Sequence, residues 1–305
     1  MAKNIARISC NLLDLNHPLY QKLLVEQPSW WKNVTTDNEF YIEIRKGNII
    51  DVYYEGGRAA QICLMKERFV VTAHPKYVYD NVKKDDSRLY RQSKKDGKII
   101  FSAIYQDCLD CLATNEKIAR MKQRIRDNYS SVKKEDSESN IEDISEKFIQ
   151  GKLVVNNRGI YLDSEFAHKL FDEPRSRKTV RFDLVKIENG RLIFVELKRF
   201  WDSRMRTTKG EPEIIEQMTN YKDFIEVNRN ELCEYYKILY QIKMKLNLPV
   251  PSIKDINKLE IEVTPQLLIA LYHDNVRHGP NAKEKRQDYI NSHLKTKGIC
   301  PQYFE

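Results

Sequence analysis

Residues 179–200 read Thr-Val-Arg-Phe-Asp-Leu-Val-Lys-Ile-Glu-Asn-Gly-Arg-Leu-Ile-Phe-Val-Glu-Leu-Lys-Arg-Phe. Asn189-Gly190 divides this stretch into two apolar-rich runs, 179–187 and 192–200. Asn-Gly is the strongest short hairpin signal, because both residues tolerate the positive φ of a tight strand-to-strand turn. The runs are therefore predicted to be antiparallel neighbours. Three of the charged residues in them stand out: Asp183 on the first, Glu196 and Lys198 on the second. Glu196 and Lys198 are two apart and share a strand face, and pairing across the turn brings Asp183 beside Glu196. Two carboxylates among Phe182, Leu184, Val185, Val195 and Leu197 are costly without a compensating cation. Mg²⁺ would compensate through hard oxygen ligands and retained waters, with the Leu197 carbonyl as a third protein ligand. The plainer alternative is an exposed strand face with a cross-strand ion pair. Acid-x-Lys is unspecific by itself, since Asp96-Gly97-Lys98 also fits it, in a predicted turn.

Outward from the hairpin the pattern stays regular. Ser139-Asn140-Ile141-Glu142 has the form of a capping box, and Ile141, Ile144 and Phe148 then fall on one helical face. Residues 158–168 read as a strand. Pro212 suits a first helical turn, with Glu211, Glu213 and Glu216 at the positive end of the helix dipole. Ile214, Met218, Tyr221 and Ile225 form the stripe of that helix. Asn228 and Glu231 are candidates to cap a second helix bearing Leu232, Tyr235, Leu239 and Ile242. The apolar run 266–272 suits a strand buried on both faces, and a basic helix follows from about residue 282. The order is helix, three strands, helices, strand, helix.

Upstream, the first third reads as a small β-rich domain. Phe40, Ile42 and Ile44 alternate with polar neighbours, Lys46-Gly47-Asn48 and Glu55-Gly56-Gly57 are turns, and runs 49–54, 59–65 and 69–73 continue a meander. Trp30 and Trp31 are read as packing residues rather than a stacking platform, and residues 113–129 as a basic helix. The predicted organisation is an N-terminal domain over 1–130, a polar linker over 131–138 and a second domain over 139–305.

Of the 305 residues, 41% are apolar and 10% aromatic, which excludes wholesale disorder. The apolar run 267–272 is too short for a membrane span, so no membrane is expected as a partner. Six cysteines without paired zinc-finger spacing imply free thiols in a reducing, cytoplasmic setting. The absence of Gly-x-x-x-x-Gly-Lys and Gly-x-Gly-x-x-Gly argues against a nucleotide cradle. The net charge of +8 is clustered, with +4 over 76–98, +5 over 116–134, +3 over 199–210 and +4 over 277–297, while 135–146 holds six acids and no base. Each cluster alone could be a solvated surface; together they favour a nucleic-acid partner.

The order of elements, with Asp183 and then Glu196-Leu197-Lys198 on the second and third strands, resembles the PD-(D/E)XK nuclease superfamily over roughly residues 139–273. Gln217-Met218-Thr219-Asn220-Tyr221 resembles the added Gln-x-x-x-Tyr motif of its RecB-like branch. Phe182 stands where the family's name has Pro. The resemblance implies an α/β fold with a restriction-endonuclease-like α-β-β-β-α-β core and a mixed sheet. It implies a metal-dependent nuclease acting on DNA, of the kind found among restriction or phage-defence effectors. Asp183 and Glu196 would bind Mg²⁺ or Mn²⁺, and Lys198 would orient the attacking water and stabilise phosphate charge. Gln217 and Tyr221 would position the site, although Tyr221 equally fits core packing. A further acid would come from Glu146 on the first helix or Glu165 on the first strand, with Asp163 on the same strand face as Glu165. Arg199, Arg204, Arg206 and Lys209 could clamp phosphates. Nucleases of this fold often cut duplexes as a homodimer, but no dimer seam is legible. Two alternatives remain: an inactive nucleic-acid-binding module on a nuclease-like fold, and an RNA-directed nuclease.

Overall fold

The computed structural model describes residues 5–8, 12–95, 97–130, 145–171, 178–207, 209–271 and 281–305. The predicted hairpin forms as β9 (Thr179–Glu188) and β10 (Arg191–Arg199), with Asn189 at φ 52° and Gly190 at φ 78° in its turn. Together with β8 (Tyr161–Lys169), β11 (Glu260–Ile261), β12 (Gln266–Ala270) and β13 (Gln302–Phe304) they build one mixed sheet. Its order is β13-β12-β10-β9-β8, and β11 also pairs with β10. β8, β9 and β10 are antiparallel, whereas β11 and β12 run parallel to β10, and β13 parallel to β12. The chain is thus of mixed α/β architecture.

Helices cover both faces of this sheet. α5 (Glu146–Asn156) lays Ile149 and Leu153 on Leu197, Leu268 and Ala270. The opposite face carries α6 (Glu213–Val227), α7 (Arg229–Lys245) and α8 (Ala282–Lys295). There Ile214, Ile215 and Met218 of α6 pack with Leu267, Ile269, Ile290 and Leu294, while Tyr221 and Phe224 meet Phe182 and Phe194. The predicted capping box and linker lie outside the described residues. The N-cap of α5 is Ser145, whose hydroxyl accepts from the Phe148 amide at 3.2 Å. Asn228 does not cap α7 with its side chain as expected; its amide bonds Ile8 N, Ala6 O and Phe224 O instead. Those contacts satisfy buried backbone groups, which outweighs a cap that solvent could supply.

The first third holds a five-stranded antiparallel sheet, in order β1-β2-β3-β4-β7, built from β1 (Phe40–Arg45), β2 (Ile49–Tyr54), β3 (Gly57–Met65), β4 (Arg68–Ala73) and β7 (Gln106–Asp107). Three features were not legible. Helices α1 (Pro18–Glu26) and α2 (Ser29–Thr36) precede the sheet, and a separate two-stranded ribbon joins β5 (Tyr90–Lys95) to β6 (Lys98–Ala103). The short helices α3 (Pro75–Val78) and α4 (Asn115–Ile125) complete the unit. Trp30 and Trp31 are buried in the core, as expected of packing residues.

A single apolar cluster runs from Leu19, Ile44 and Val52 in the first third to Leu162, Phe194 and Tyr236 in the second sheet. Two polar devices reinforce that join. Lys243 donates to Glu43 Oε2 at 2.7 Å, and Arg45 reaches Asp163 at 2.7 Å, with all but Arg45 essentially removed from solvent. The turn between β2 and β3 also meets α5 backbone to backbone. A Cβ on Gly151 would stand 2.6 Å from Gly56 N, and one on Gly56 only 2.2 Å from Lys147 O. In an exposed helix Gly→Ala gains up to about 1 kcal/mol. Here the methyl would strike backbone, so Gly151→Ala is expected to lower stability by about 1–3 kcal/mol in urea unfolding. A stabilised variant would show that this seam is loose.

Candidate active site

The β9–β10 ladder ends at the pair Val195–Leu184, just before Glu196 and Asp183 would oppose each other. Beyond it β10 pairs only with β12, from Val195 to Arg199. β9 is also distorted at this point. Its ladder with β8 skips the 165/183 position, where Glu165 takes a left-handed φ of 56°. Phe182 and Val185 both join the larger core, so the alternation of faces shifts across Asp183 and Leu184. A local break of this type turns a side chain out of the sheet. Asp183 uses the freedom to accept from the Leu197 amide with Oδ2 at 2.8 Å, in place of the missing strand partner.

Around that fork the predicted residues converge. Lys198 Nζ touches Glu196 Oε1, lies 3.9 Å from Asp183 Oδ2 and 3.7 Å from Glu146 Oε2, and donates to the Leu197 carbonyl at 2.8 Å. Glu196 and Lys198 are almost wholly buried, at 2% and 1% exposure, while Asp183 and Glu146 retain 15% and 28%. From α6, the Gln217 amide donates to Glu196 Oε1 at 2.5 Å and to Tyr221 Oη at 2.9 Å. Tyr221 in turn donates to the Arg181 carbonyl at 2.6 Å. Tyr221 thus packs edge-on to Phe182 at 4.9 Å and also accepts from Gln217.

Glu146, not Glu165, is the acid brought to the cluster. Glu165 pairs with Lys147 at 2.7 Å. Asp163 is buried and bonded to Arg45 and Tyr236, so it serves the join to the first third. Of the predicted basic residues, Arg204 is at the site. It grips Asp202 at 2.6 Å and lies 3.7 Å from Glu146. Arg206 stands over the Tyr289 ring at 5.8 Å, Arg199 is half-buried and Lys209 exposed. Two residues were missed. Gln150 donates to the Asp183 carbonyl at 2.5 Å, and its position four after Glu146 was the signal that both share a helix face. Asp202 caps Arg204 N at 2.9 Å, a local turn that only the fold brings near the site.

The electrostatics leave a deficit of positive charge. Arg204 is balanced by Asp202, leaving the three carboxyl groups of Glu146, Asp183 and Glu196 against the single amine of Lys198, a formal shortfall of two positive charges. Burial raises the Asp183 carboxyl to about 8, and neighbouring Glu196 adds to that effect. Burial likewise raises Glu196 and Glu146, against the pull of Lys198. Burial also opposes the Lys198 charge, but Glu196, Asp183 and Glu146 outweigh it and hold the amine above its ordinary value. Glu196 Oε2 is buried and among the described residues has no hydrogen-bond partner. A proton shared with Asp183 or a cation would satisfy it. Among the described residues no three His, Cys, Asp or Glu side chains form a ready metal cage. Mg²⁺ does not need one, because it binds through one or two carboxylates and keeps several waters. The unpartnered oxygen and the missing charge therefore fit a hard divalent cation. No family model matches the chain, and neither does any curated protein or solved structure. Among the described residues no helix is long and apolar enough to cross a membrane.

A raised carboxyl value means that the folded chain holds a proton that the unfolded chain releases. Its contribution to stability is present below about pH 4 and is lost as pH rises toward about 8. Melting in EDTA should accordingly show Asp183→Asn gaining on the wild type as pH increases from 5 to 9. Mg²⁺ or Mn²⁺ should raise the wild-type melting temperature more at pH 8.5 than at pH 6, and the variant's much less. A pH-independent gap between the two proteins would refute the assigned burial of that charge.

Proposed function

We propose that the chain is a metal-dependent nuclease that hydrolyses phosphodiester bonds in DNA, on a restriction-endonuclease-like core formed by α5, β8, β9, β10, α6 and β12. The observation that carries this reading is the convergence of Asp183, Glu196 and Lys198 where the ladder opens, with Glu196 Oε2 lacking a partner. Asp183 and Glu196 would hold Mg²⁺ or Mn²⁺, with Glu146 and the Leu197 carbonyl as further oxygen donors. The bound ion supplies Lewis acidity at the scissile phosphate and lowers the pKa of a coordinated water.

The protein's own groups account for the rest. Lys198, charged and fixed by three acids, places an ammonium where negative charge develops on the phosphate, so little reorganisation is needed. Gln217 orients Glu196, and Tyr221 and Gln150 fix Gln217 and the Asp183 backbone. Arg204 lies at the rim, able to exchange its contact with Glu146 for a phosphate oxygen. Arg199 at the end of β10, with Arg206 and Lys209 beyond it, extends the positive charge toward the same rim.

One observation favours the second reading, a nucleic-acid-binding module without turnover: Lys198 already occupies Glu196 Oε1 as an ion pair. Digestion of duplex DNA, single-stranded DNA and RNA with Mg²⁺ or Mn²⁺ separates the readings. The wild type should cleave DNA, and Asp183→Ala, Glu196→Ala and Lys198→Ala should each lower the rate by at least about 10²–10³. Gln217→Ala, which only loosens Glu196, should cost roughly tenfold. Preferential RNA cleavage would reassign the substrate. Equal cleavage by wild type and all three alanine variants would discard the site, and binding without cleavage would favour the inactive module.

A further inference from the structure

The β5–β6 ribbon belongs to neither large sheet. Its register pairs Tyr90 with Ala103 at the base and Lys95 with Lys98 at the tip. Tyr90 is buried, whereas residues 91–95 and 98–102 are exposed. The base is anchored. Ile104 N bonds Leu89 O at 2.8 Å, Tyr90 and Tyr105 both pack on His74, and Arg58 reaches Tyr105 Oη at 2.5 Å. The ribbon thus projects from a fixed footing.

Its composition is unusual for an exposed element. The two strands carry Arg91, Lys94, Lys95 and Lys98 and no acid. Among the described residues none of these four has an ion-pair partner. Beside them Ile99, Ile100 and Phe101 are 57%, 39% and 37% exposed. Lysines alone would be explained as guards against edge-to-edge pairing. That role gives no reason to place three large apolar residues in water, and a solitary two-stranded ribbon is at best marginally stable by itself. The combination calls for a partner that is polyanionic and also offers apolar surface.

We propose that this ribbon is a DNA-binding arm. It lies in the major groove of a duplex, its four cations neutralise phosphates, and Ile99 and Phe101 bury apolar surface against base edges and thymine methyls. The dimensions agree. A major groove of about 12 Å admits a two-stranded ribbon. Six residues of strand span about 20 Å, the length of roughly six base pairs. The inference rests on the reading of the chain as one that acts on DNA, but it concerns a surface outside the candidate active site.

The test uses the full-length chain in EDTA, so that binding is read without cleavage. The probe is a fluorescent DNA duplex of about 25 base pairs, competed with single-stranded DNA and RNA. Replacing Arg91, Lys94, Lys95 and Lys98 together by Gln should weaken duplex binding at least tenfold at low salt. It should also flatten the slope of log affinity against log salt by about 3.6, since each of the four phosphate contacts contributes about 0.9. Phe101→Ser should weaken binding severalfold and leave that slope unchanged. Replacing the three lysines by Arg should retain affinity and slope, which separates loss of charge from loss of fold. Unchanged affinity and slope in the Gln variant would overturn the inference. So would a chain dimer that Phe101→Ser converts to monomer while duplex binding stays intact, because the ribbon would then be a self-association surface. Ribbon variants that lose binding in a protein that cleaves nothing would retain the arm and discard the nuclease; Lys198-dependent cleavage unaffected by the ribbon would do the reverse.

Discussion

Every buried backbone amide and carbonyl must find a partner, and the place where β9 and β10 part is where the sheet cannot supply them. The side chains that do so are the ones that build the site. Asp183 takes the Leu197 amide, Gln150 the Asp183 carbonyl, Lys198 the Leu197 carbonyl and Tyr221 the Arg181 carbonyl. The same bonds that repair the fork fix the side chains' positions. A strand pair that stayed zipped through Glu196 would have left Asp183 in an ordinary cross-strand position with no reason to reach Leu197. The left-handed Glu165 and the shifted alternation of β9 are the local departures that permit this arrangement.

Burial then converts geometry into chemistry. Three acids raised by desolvation and one lysine held charged by those acids are mutually dependent, and neither set would be stable inside the protein without the other. Lys198 offsets one formal charge and leaves two, the charge of a magnesium ion, next to an oxygen that lacks a donor among the described residues. At neutral pH a proton on Asp183, whose carboxyl is raised to about 8, offsets part of that deficit instead. On the proposed reading metal and proton would compete for one pocket, and the pH dependence of stability and the response to metal would be two views of a single property.

The central hairpin was legible because its signals are local: Asn-Gly fixes the turn, and two-residue spacing fixes the relation of Glu196 to Lys198. Gln217 and Tyr221 were legible only through the resemblance of Gln217-Met218-Thr219-Asn220-Tyr221 to a known motif; helical spacing by itself placed Tyr221 in the apolar stripe of α6. The choice between Glu146 and Glu165 was not, because it depends on where α5 lands across the sheet. Nor were α1 and α2. They have nine and eight residues, and α2 reads Ser-Trp-Trp-Lys-Asn-Val-Thr-Thr, poor in strong helix formers. Such helices exist through tertiary burial of Leu19, Leu23, Trp30, Trp31 and Val34, which no local window reveals. The β5–β6 ribbon hid for a different reason. Its strands are basic and exposed, so in the sequence they stand out only as a charge cluster beside a predicted turn, and only the ladder shows them paired.

The first third is tied to this chemistry through α5. Gly56 and Gly151 let the β2–β3 turn and the helix touch at backbone distance, and Lys152 of α5 lies 3.3 Å from Glu55 in that turn. One turn of the same helix carries both Glu146 and Gln150, which bracket Asp183 from the side opposite α6. A displacement of α5 by one ångström would change the separation of Glu146 from Lys198 and of Gln150 from the Asp183 carbonyl together. The N-terminal sheet is therefore more than an appended module: its turn sets the height at which one wall of the acidic pocket stands. The buried Glu43–Lys243 pair stiffens the same join on the α7 side. Burying that pair costs desolvation that apolar residues would avoid. In return it fixes a single docking of the first sheet, and so a single position for the helix that both halves share.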